Sequence, residues 1–499
     1  MASPYDSYQT SLTGRYCSPA MSQLFSQRSR HSTWRKLWLG LAESEKELGI
    51  DTITPEALEQ MRANLTVTDQ DFEVARVEEK IRRHHVHAFG IAAPAAAGII
   101  HYGTVDLHLL SSMPLMHNIG ATSCYVTDNA ELILMKNALD LLTKKLAKVI
   151  SNLAAFALKW KDQPTLAYTH LQAAQLITVG KRAAQWAQDL MLDLHNIEQA
   201  RDELKFRGAQ GTTGTQASFL EVFHGDSTKC DELNKLLCQK FGFSSCYDVS
   251  TQTYTRKVDL LVANAVAGLG SSAQKITGDI RHLAHWKEIE EPFESSQIGS
   301  SAMAYKRNPM RSERVYSLSR ELLSKPASFQ ATHADQWMER TLDDSAVRRI
   351  DIPETFLLAD AILIGLDNIT DGLIVYPQRI AAHIQAELPF MITETIIMRL
   401  CATGVSRQEA HEQIRVLSHQ ASAVVKNEGK PNDLVERIKS SDFFQPIWGE
   451  LDGMLKAELY TGRSAEIVDK YCGPGGAVDK ALAPYREYIK GAATTELSV

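Results

Sequence analysis

The chain has 499 residues, 44% hydrophobic and 23% charged, with a formal net charge of −7. That length carries several domains with ample core, and the negative balance excludes a general nucleic-acid surface, so an anionic ligand must be gripped by local arginines. No apolar run approaches the ~20 residues that span a bilayer, and the seven scattered cysteines form no Cys-x-x-Cys pair, so neither a disulfide framework nor a zinc site is indicated and a reducing, cytoplasmic compartment is the default.

Residues 1 to about 30 are polar and turn-rich and read as an extended arm, in which Arg15-Tyr16 stands out mildly. Trp34, Trp38, Leu41 and Leu48 have helical spacing, which predicts a helix from near Thr33 to Leu48, stopped by Gly49. Thr54-Pro55-Glu56 is a helix start, with a capping hydroxyl, a proline in the first turn and an acid at the positive end of the dipole. Thr68 opens a further helix to Arg83, followed by His84, His85 and His87. These histidines have no carboxylate or cysteine at ligand spacing, and adjacent residues on a helix point apart, so no metal is expected. Residues 90–120 are rich in glycine and alanine and carry no clear pattern.

From residue 130 the character changes. Leu132, Met135, Leu139, Leu142, Leu146, Val149, Leu153 and Phe156 alternate steps of three and four, a sustained heptad seam. A helix over 130–160 is ~45 Å long at 1.5 Å per residue. Further long patterns cover 177–206, 255–289, the stretch after Pro309, and 354–372. Alternating β-branched runs are almost absent. The fold class expected is all-α, in three domains: residues 1–121, a central bundle of long helices over 122–375, and shorter helices over 376–499, where Ser406 with Glu409 resembles a capping box.

The unusual chemistry falls on three connections of the bundle. Thr169-His170-Leu171-Gln172 offers a histidine at a helix end; taken alone it reads as a capping or surface residue. Gly211-Thr-Thr-Gly-Thr-Gln216 offers closely spaced N–H groups for an anion, or a flexible turn. Gly299-Ser-Ser-Ala-Met-Ala-Tyr-Lys-Arg-Asn-Pro309 is poor core material, with donors between two breakers. Arg340 to Ser345, with Arg348 and Arg349, is either a solvated helix start or an arginine clamp. Glu288, Glu290, Glu291 and Glu294 read as a solvated acidic helix end. The combination of three separated polar loops on long helices outweighs each single reading.

The 299–309 stretch resembles the signature loop of the fumarase/aspartase superfamily, Ser-Ser-x-Met-Pro-x-Lys-x-Asn. The similarity extends to Gly120–Tyr125, Thr169–Gln175, Phe206–Gln216, Gln252–Lys257, Glu339–Ser345 and Glu387–Met391, nearly the whole chain. It points to the branch that expels fumarate from succinylated purine ribotides. The resemblance implies two small-molecule substrates, adenylosuccinate and the succinylated carboxamide ribotide, with no cofactor. It implies a homotetramer built on the long helices of four subunits, each active site gathering loops from three of them. It further implies His170 as general acid and Ser300, acting as alkoxide, as general base, with Lys306 supporting the base. The same resemblance gives Arg15, Tyr16, Arg83, His84, Thr122, Ser123, Gln252, Asn308, Arg314, Arg340, Ser345 and Arg349 as substrate-binding residues.

A carbon acid beside a carboxylate needs preorganised positive charge, and the leaving nitrogen needs an acid of near-neutral pKa, which suits histidine. The chain departs from the superfamily pattern in three places. Ala173 and Ala304 replace prolines, which should loosen each loop. About four residues are missing after His84. Residues 102–118 read as an insertion. The competing readings are another fumarate-releasing lyase, such as argininosuccinate lyase, and a non-catalytic helical scaffold.

Overall fold

The computed structural model describes residues 8–51, 53–83, 121–294, 303 and 305–493. His84, Ser300, Ala304 and the 102–118 stretch lie outside them. The N-terminal residues fold back on the molecule, in contrast to the expected arm. A helical turn at Leu12–Tyr16 precedes α1 (Pro19–Leu24) and α2 (Gln27–Glu47). Ser18 caps α1 with its side chain, while its N–H donates to Asp360 Oδ2 at 2.6 Å. Met21 is fully buried. With Leu12, Cys17 and Leu24 packed on the core and Phe25 stacked on Phe356, this docks a segment whose composition looks solvated. Next come α3 (Pro55–Ala63) and α4 (Asp69–Arg82), both starting where the caps predict. Thr68 makes a reciprocal capping box with Asp71. Ser406 does not: its hydroxyl meets Gln408 Oε1 instead.

The heptad seam becomes α5 (Ser123–Lys159), 37 residues long. All eight seam residues are buried. After it, strands β1 (Pro164–Thr169) and β2 (Gln172–Thr178) form an antiparallel hairpin, with registers from Pro164↔Thr178 to Thr169↔Gln172. The bundle continues with α6 (Val179–Asp202), the shorter α7 (Ala217–Val222) and α8 (Ser227–Phe241), and α9 (Lys257–His285). The two-residue β3 (Ile289–Glu290) leads to α10 (Met310–Ala334) and α11 (Asp344–Asp371). Helix α11 starts ten residues before the expected 354, running through Pro353. A proline removes one helical hydrogen bond, and here buried Ile352, Thr355 and Phe356 hold the helix together around it. Packing is close: a Cβ on Gly365 of α11 would lie 2.4 Å from Val315 of α10. Strand β4 (Ile374–Val375) pairs with β3, and α12 (Pro377–Met391) opens a run of shorter helices. Among the described residues no helix is long and apolar enough to cross a membrane. All seven cysteines are free thiols.

Candidate active site

The long helices place the candidate residues at two ends of the bundle. At the first end is the β1–β2 hairpin, whose two-residue tip is His170-Leu171. Both residues have positive φ, 55° and 57°, as a type I′ turn demands. His170 is exposed. It is therefore not a loose connection but the apex of a paired ribbon, and Ala173 is a ladder residue opposite Tyr168. Tyr168 stacks on Trp286 at 4.3 Å, at the end of α9. Burial, then the charge of Glu288, pushes the Tyr168 hydroxyl up to about 12. Between hairpin and α12 lies a cavity of about 310 Å³ lined by Tyr168, Gln172, Trp286, His383 and Glu387 among others.

The same end holds the visible part of the signature loop. The Lys306 N–H donates to Met303 O at 3.0 Å, and its side chain is exposed. Arg307 pairs with Glu290 and lies over Phe293. The Asn308 carbonyl accepts from Met310 N at 2.8 Å as α10 begins. One turn on, the Arg314 guanidinium sits 5.3 Å from the centre of the Tyr16 ring, which brings the Arg15-Tyr16 motif to this loop. The acidic cluster is not a solvated helix end. Glu288 and Glu291 are buried, and Glu291 accepts from Arg311 N, Ser312 N and Ser312 Oγ at 2.8–2.9 Å. It caps α10 from twenty residues upstream, where N–H groups are unpaired and the dipole is positive. Glu288 meets His383 Nδ1 at 2.6 Å, tying α12 to the bundle.

At the opposite end, α5 starts with Thr122 and Ser123. Cys124 Sγ lies 3.8 Å from Gln252 Oε1 and touches Arg340. Thr122, Ser123, Gln252 and Arg340 are thus neighbours, with Ser345 and Arg349 on the first turns of α11. Arg83 ends α4 in the left-handed conformation and is exposed. The glycine-threonine loop is anchored, not flexible. Buried Arg207 donates to Gly211 O at 3.0 Å and Thr251 O at 3.3 Å, and Asn129 accepts from Arg207 N and Gly208 N. A Cβ on Gly214 would lie 1.9 Å from Ser250 O, so only glycine fits there. Thr212, Thr213 and Thr215 remain exposed at its tip.

The 340–349 arginines are not a solvated face throughout. Arg348 is buried with Asp259, and Arg256 is buried with Asp128 and Asp344. Burial pushes the Asp128 carboxyl up, but Arg256 and Arg348 outweigh it and hold it below its usual range. Sequence reasoning missed Arg256, Asp128 and Glu291. Asp128 has a signal, a charge among the buried apolar residues of α5, whereas Arg256 and Glu291 lie just outside helix and strand and have none. Among the described residues no group of three metal-ligating side chains occurs.

The two ends are far apart. Helix α10, 25 residues long, separates Lys306 from Arg340, and α9, 29 residues long, separates Gln252 from the hairpin. At 1.5 Å per residue that is about 40 Å. No single chain brings His170 and Lys306 to Arg340 and Gln252.

A family model described as "Lyase" matches residues 17–323, and one described as "Adenylosuccinate lyase C-terminus" matches 389–471. The chain is 52% identical to adenylosuccinate lyase of Saccharomyces cerevisiae and 44% identical to that of Schistosoma mansoni, in each case over 97% of this chain and 98% of the relative. Among solved structures, 3-carboxy-cis,cis-muconate lactonizing enzyme from Pseudomonas putida superposes with a TM-score of 0.77 at 20% identity, covering 96% of this chain and all of that one. Fumarate lyase from Mesorhizobium sp. BNC1 gives 0.75 at 21%, covering 94% and 99%. These two likenesses establish the fold. The sequence relatives go further: identity of this depth from end to end makes the chain a member of the adenylosuccinate lyase family, within the fumarase/aspartase superfamily.

Proposed function

We propose that the protein eliminates fumarate from adenylosuccinate, leaving AMP, and from the succinylated carboxamide ribotide, leaving the free carboxamide. The observation that carries this reading is the near full-length identity of 52% to a curated adenylosuccinate lyase. In the reaction, Ser300 as alkoxide takes the proton from the succinyl carbon. The electron pair forms the double bond of fumarate as the C–N bond breaks, and His170 protonates the departing nitrogen. A histidine on the apex of a paired ribbon suits this role, because the ribbon fixes its direction while leaving the ring open to substrate. Lys306 and Asn308 supply positive charge and donors at the base. Arg15, Arg314, Arg340 and Arg349 suit a ligand with one phosphate and two carboxylates. Tyr16, Arg83, His84, Thr122, Ser123, Gln252 and Ser345 complete the binding set.

The separation of about 40 Å between the two ends supports a composite site in a homotetramer, where antiparallel copies lay one end of a bundle against the opposite end of another. Seven free thiols and the metabolic chemistry support a cytoplasmic location. Fumarate release from adenylosuccinate, followed by its ultraviolet absorbance, tests the activity. His170→Ala and Ser300→Ala should each reduce turnover at least about a thousandfold in folded, assembled protein. Fumarate from argininosuccinate but not adenylosuccinate would overturn the reading, and retained turnover in either variant would overturn its role.

A further inference from the structure

Beneath the first turns of α5 and α11 lies a buried charge network in two halves. The inner half is closed. Asp259 accepts from Tyr254 Oη at 2.6 Å and Arg348 Nε at 2.7 Å, and Arg348 Nη2 reaches Tyr254 Oη at 2.6 Å. The outer half is built on Arg256, whose Nη1 donates to Asp128 Oδ2 at 2.9 Å and whose Nε donates to Asp344 Oδ2 at 2.7 Å. Both guanidinium groups lie over the Tyr254 ring, at 4.8 and 5.5 Å.

The outer half leaves something over. Asp344 is completely buried, yet its Oδ1 accepts no hydrogen bond. That oxygen lies 4.0 Å from Nη2 of Arg340, whose side chain is 22% exposed. Buried Arg207 adds its charge at Asp128, and Arg348 pairs with Asp259, so the oxygen left without a donor is that of Asp344. It points at Arg340, and a buried carboxylate oxygen without a donor is costly unless a cation faces it.

We propose that Asp344, fixed by Arg256, is a positioning residue for Arg340 and holds its guanidinium toward the anionic part of the substrate. This rests on the lyase reading, in which Arg340 binds that anion. A guanidinium carries five N–H donors on a rigid plane, so one edge can turn to Asp344 while others stay open to a phosphate or carboxylate. Without that partner the side chain is free to change rotamer and must be immobilised on binding. Cys124, in contact with Arg340 and close to Gln252, limits movement on its other side.

The test uses the full-length protein and the variant Asp344→Asn, which keeps an oxygen for Arg256 and removes the charge facing Arg340. KM for adenylosuccinate should rise about tenfold, with kcat within about threefold, and AMP affinity by calorimetry should fall about tenfold. In an Arg340→Lys background, Asp344→Asn should add little, because the two act through one group. Tyr254→Phe, which breaks only the closed half, should lower thermal stability and leave KM unchanged. Unchanged KM and AMP affinity in Asp344→Asn, additive effects with Arg340→Lys, or an equal rise in KM from Tyr254→Phe would each overturn the proposal. If Asp344→Asn does not assemble, Arg256→Lys, which keeps the charge but loses the bridge between carboxylates, carries the same expectations. Wild-type protein that binds AMP without releasing fumarate overturns the lyase reading and leaves the AMP measurements to decide this one. Wild-type protein that does neither overturns both.

Discussion

Both carboxyl oxygens of Glu45 on α2 are buried without a hydrogen-bond partner, and the residue is 1% exposed. Burial pushes its pKa well above the ordinary value and favours the protonated form in the fold. In the unfolded chain it ionises near 4.3. Below that pH both states hold the proton and the contribution is fully present. As pH rises, the unfolded state gains by ionising and the folded state loses relative stability, up to the raised folded value. Glu45→Met keeps the length and removes the acid. It should raise the melting temperature at both pH 4.5 and pH 8, and by a few degrees more at pH 8. An equal rise at the two pH values would show that burial does not raise the Glu45 pKa in the fold. The same residue scale holds the failures of sequence reading. A run of glutamates beside a proline looks solvated, but its partners, Arg311, Ser312 and His383, lie twenty to ninety-five residues away. Burial by distant chain is invisible in a local window.

At the scale of elements, periodicity was a reliable guide where one face is continuous. The eight-residue seam of α5 is wholly buried, and the caps at Thr54 and Thr68 start helices where predicted. The hairpin was hidden because its turn lacks the Asn-Gly or Asp-Gly pair that marks a type I′ turn. His170 and Leu171 occupy left-handed positions that their side chains disfavour. A ribbon that accepts this cost to present a histidine has the character of a functional site, where local strain tends to collect. Glu291 shows how an element is set for function. It caps α10, which follows Asn308 and carries Arg314 on its second turn. Glu291→Gln loses the charge and at least one of three bonds. It should destabilise the fold by about 1–3 kcal/mol, read as a lower thermal midpoint, and raise KM several-fold as the start of α10 loosens. A lower midpoint with KM unchanged would confine Glu291 to stability.

At the scale of the whole molecule, the bundle itself decides how a site can form. Helices α9 and α10 are rigid spacers, and they keep His170 and Lys306 about 40 Å from Gln252 and Arg340. Composition and periodicity give every one of these residues but not which lie together; only the resemblance groups them. That information resides in helix direction, which a linear pattern does not carry. If each site takes its hairpin from one subunit and its Arg340 end from another, two inactive variants should complement. His170→Ala and Arg340→Ala, each inactive alone, are unfolded together at equal concentration and reassembled. A site works when its hairpin comes from the Arg340→Ala chain and its arginine from the His170→Ala chain. Random assembly gives each condition half the time, so about a quarter of wild-type activity should return. Variants whose two lesions lie in groups supplied by one subunit, such as Lys306→Ala with Arg314→Ala, should recover none, because every copy of that group carries one lesion or the other. Recovery in the second mixture, or its absence in the first, would mean that the ends meet in some other way than through neighbouring copies.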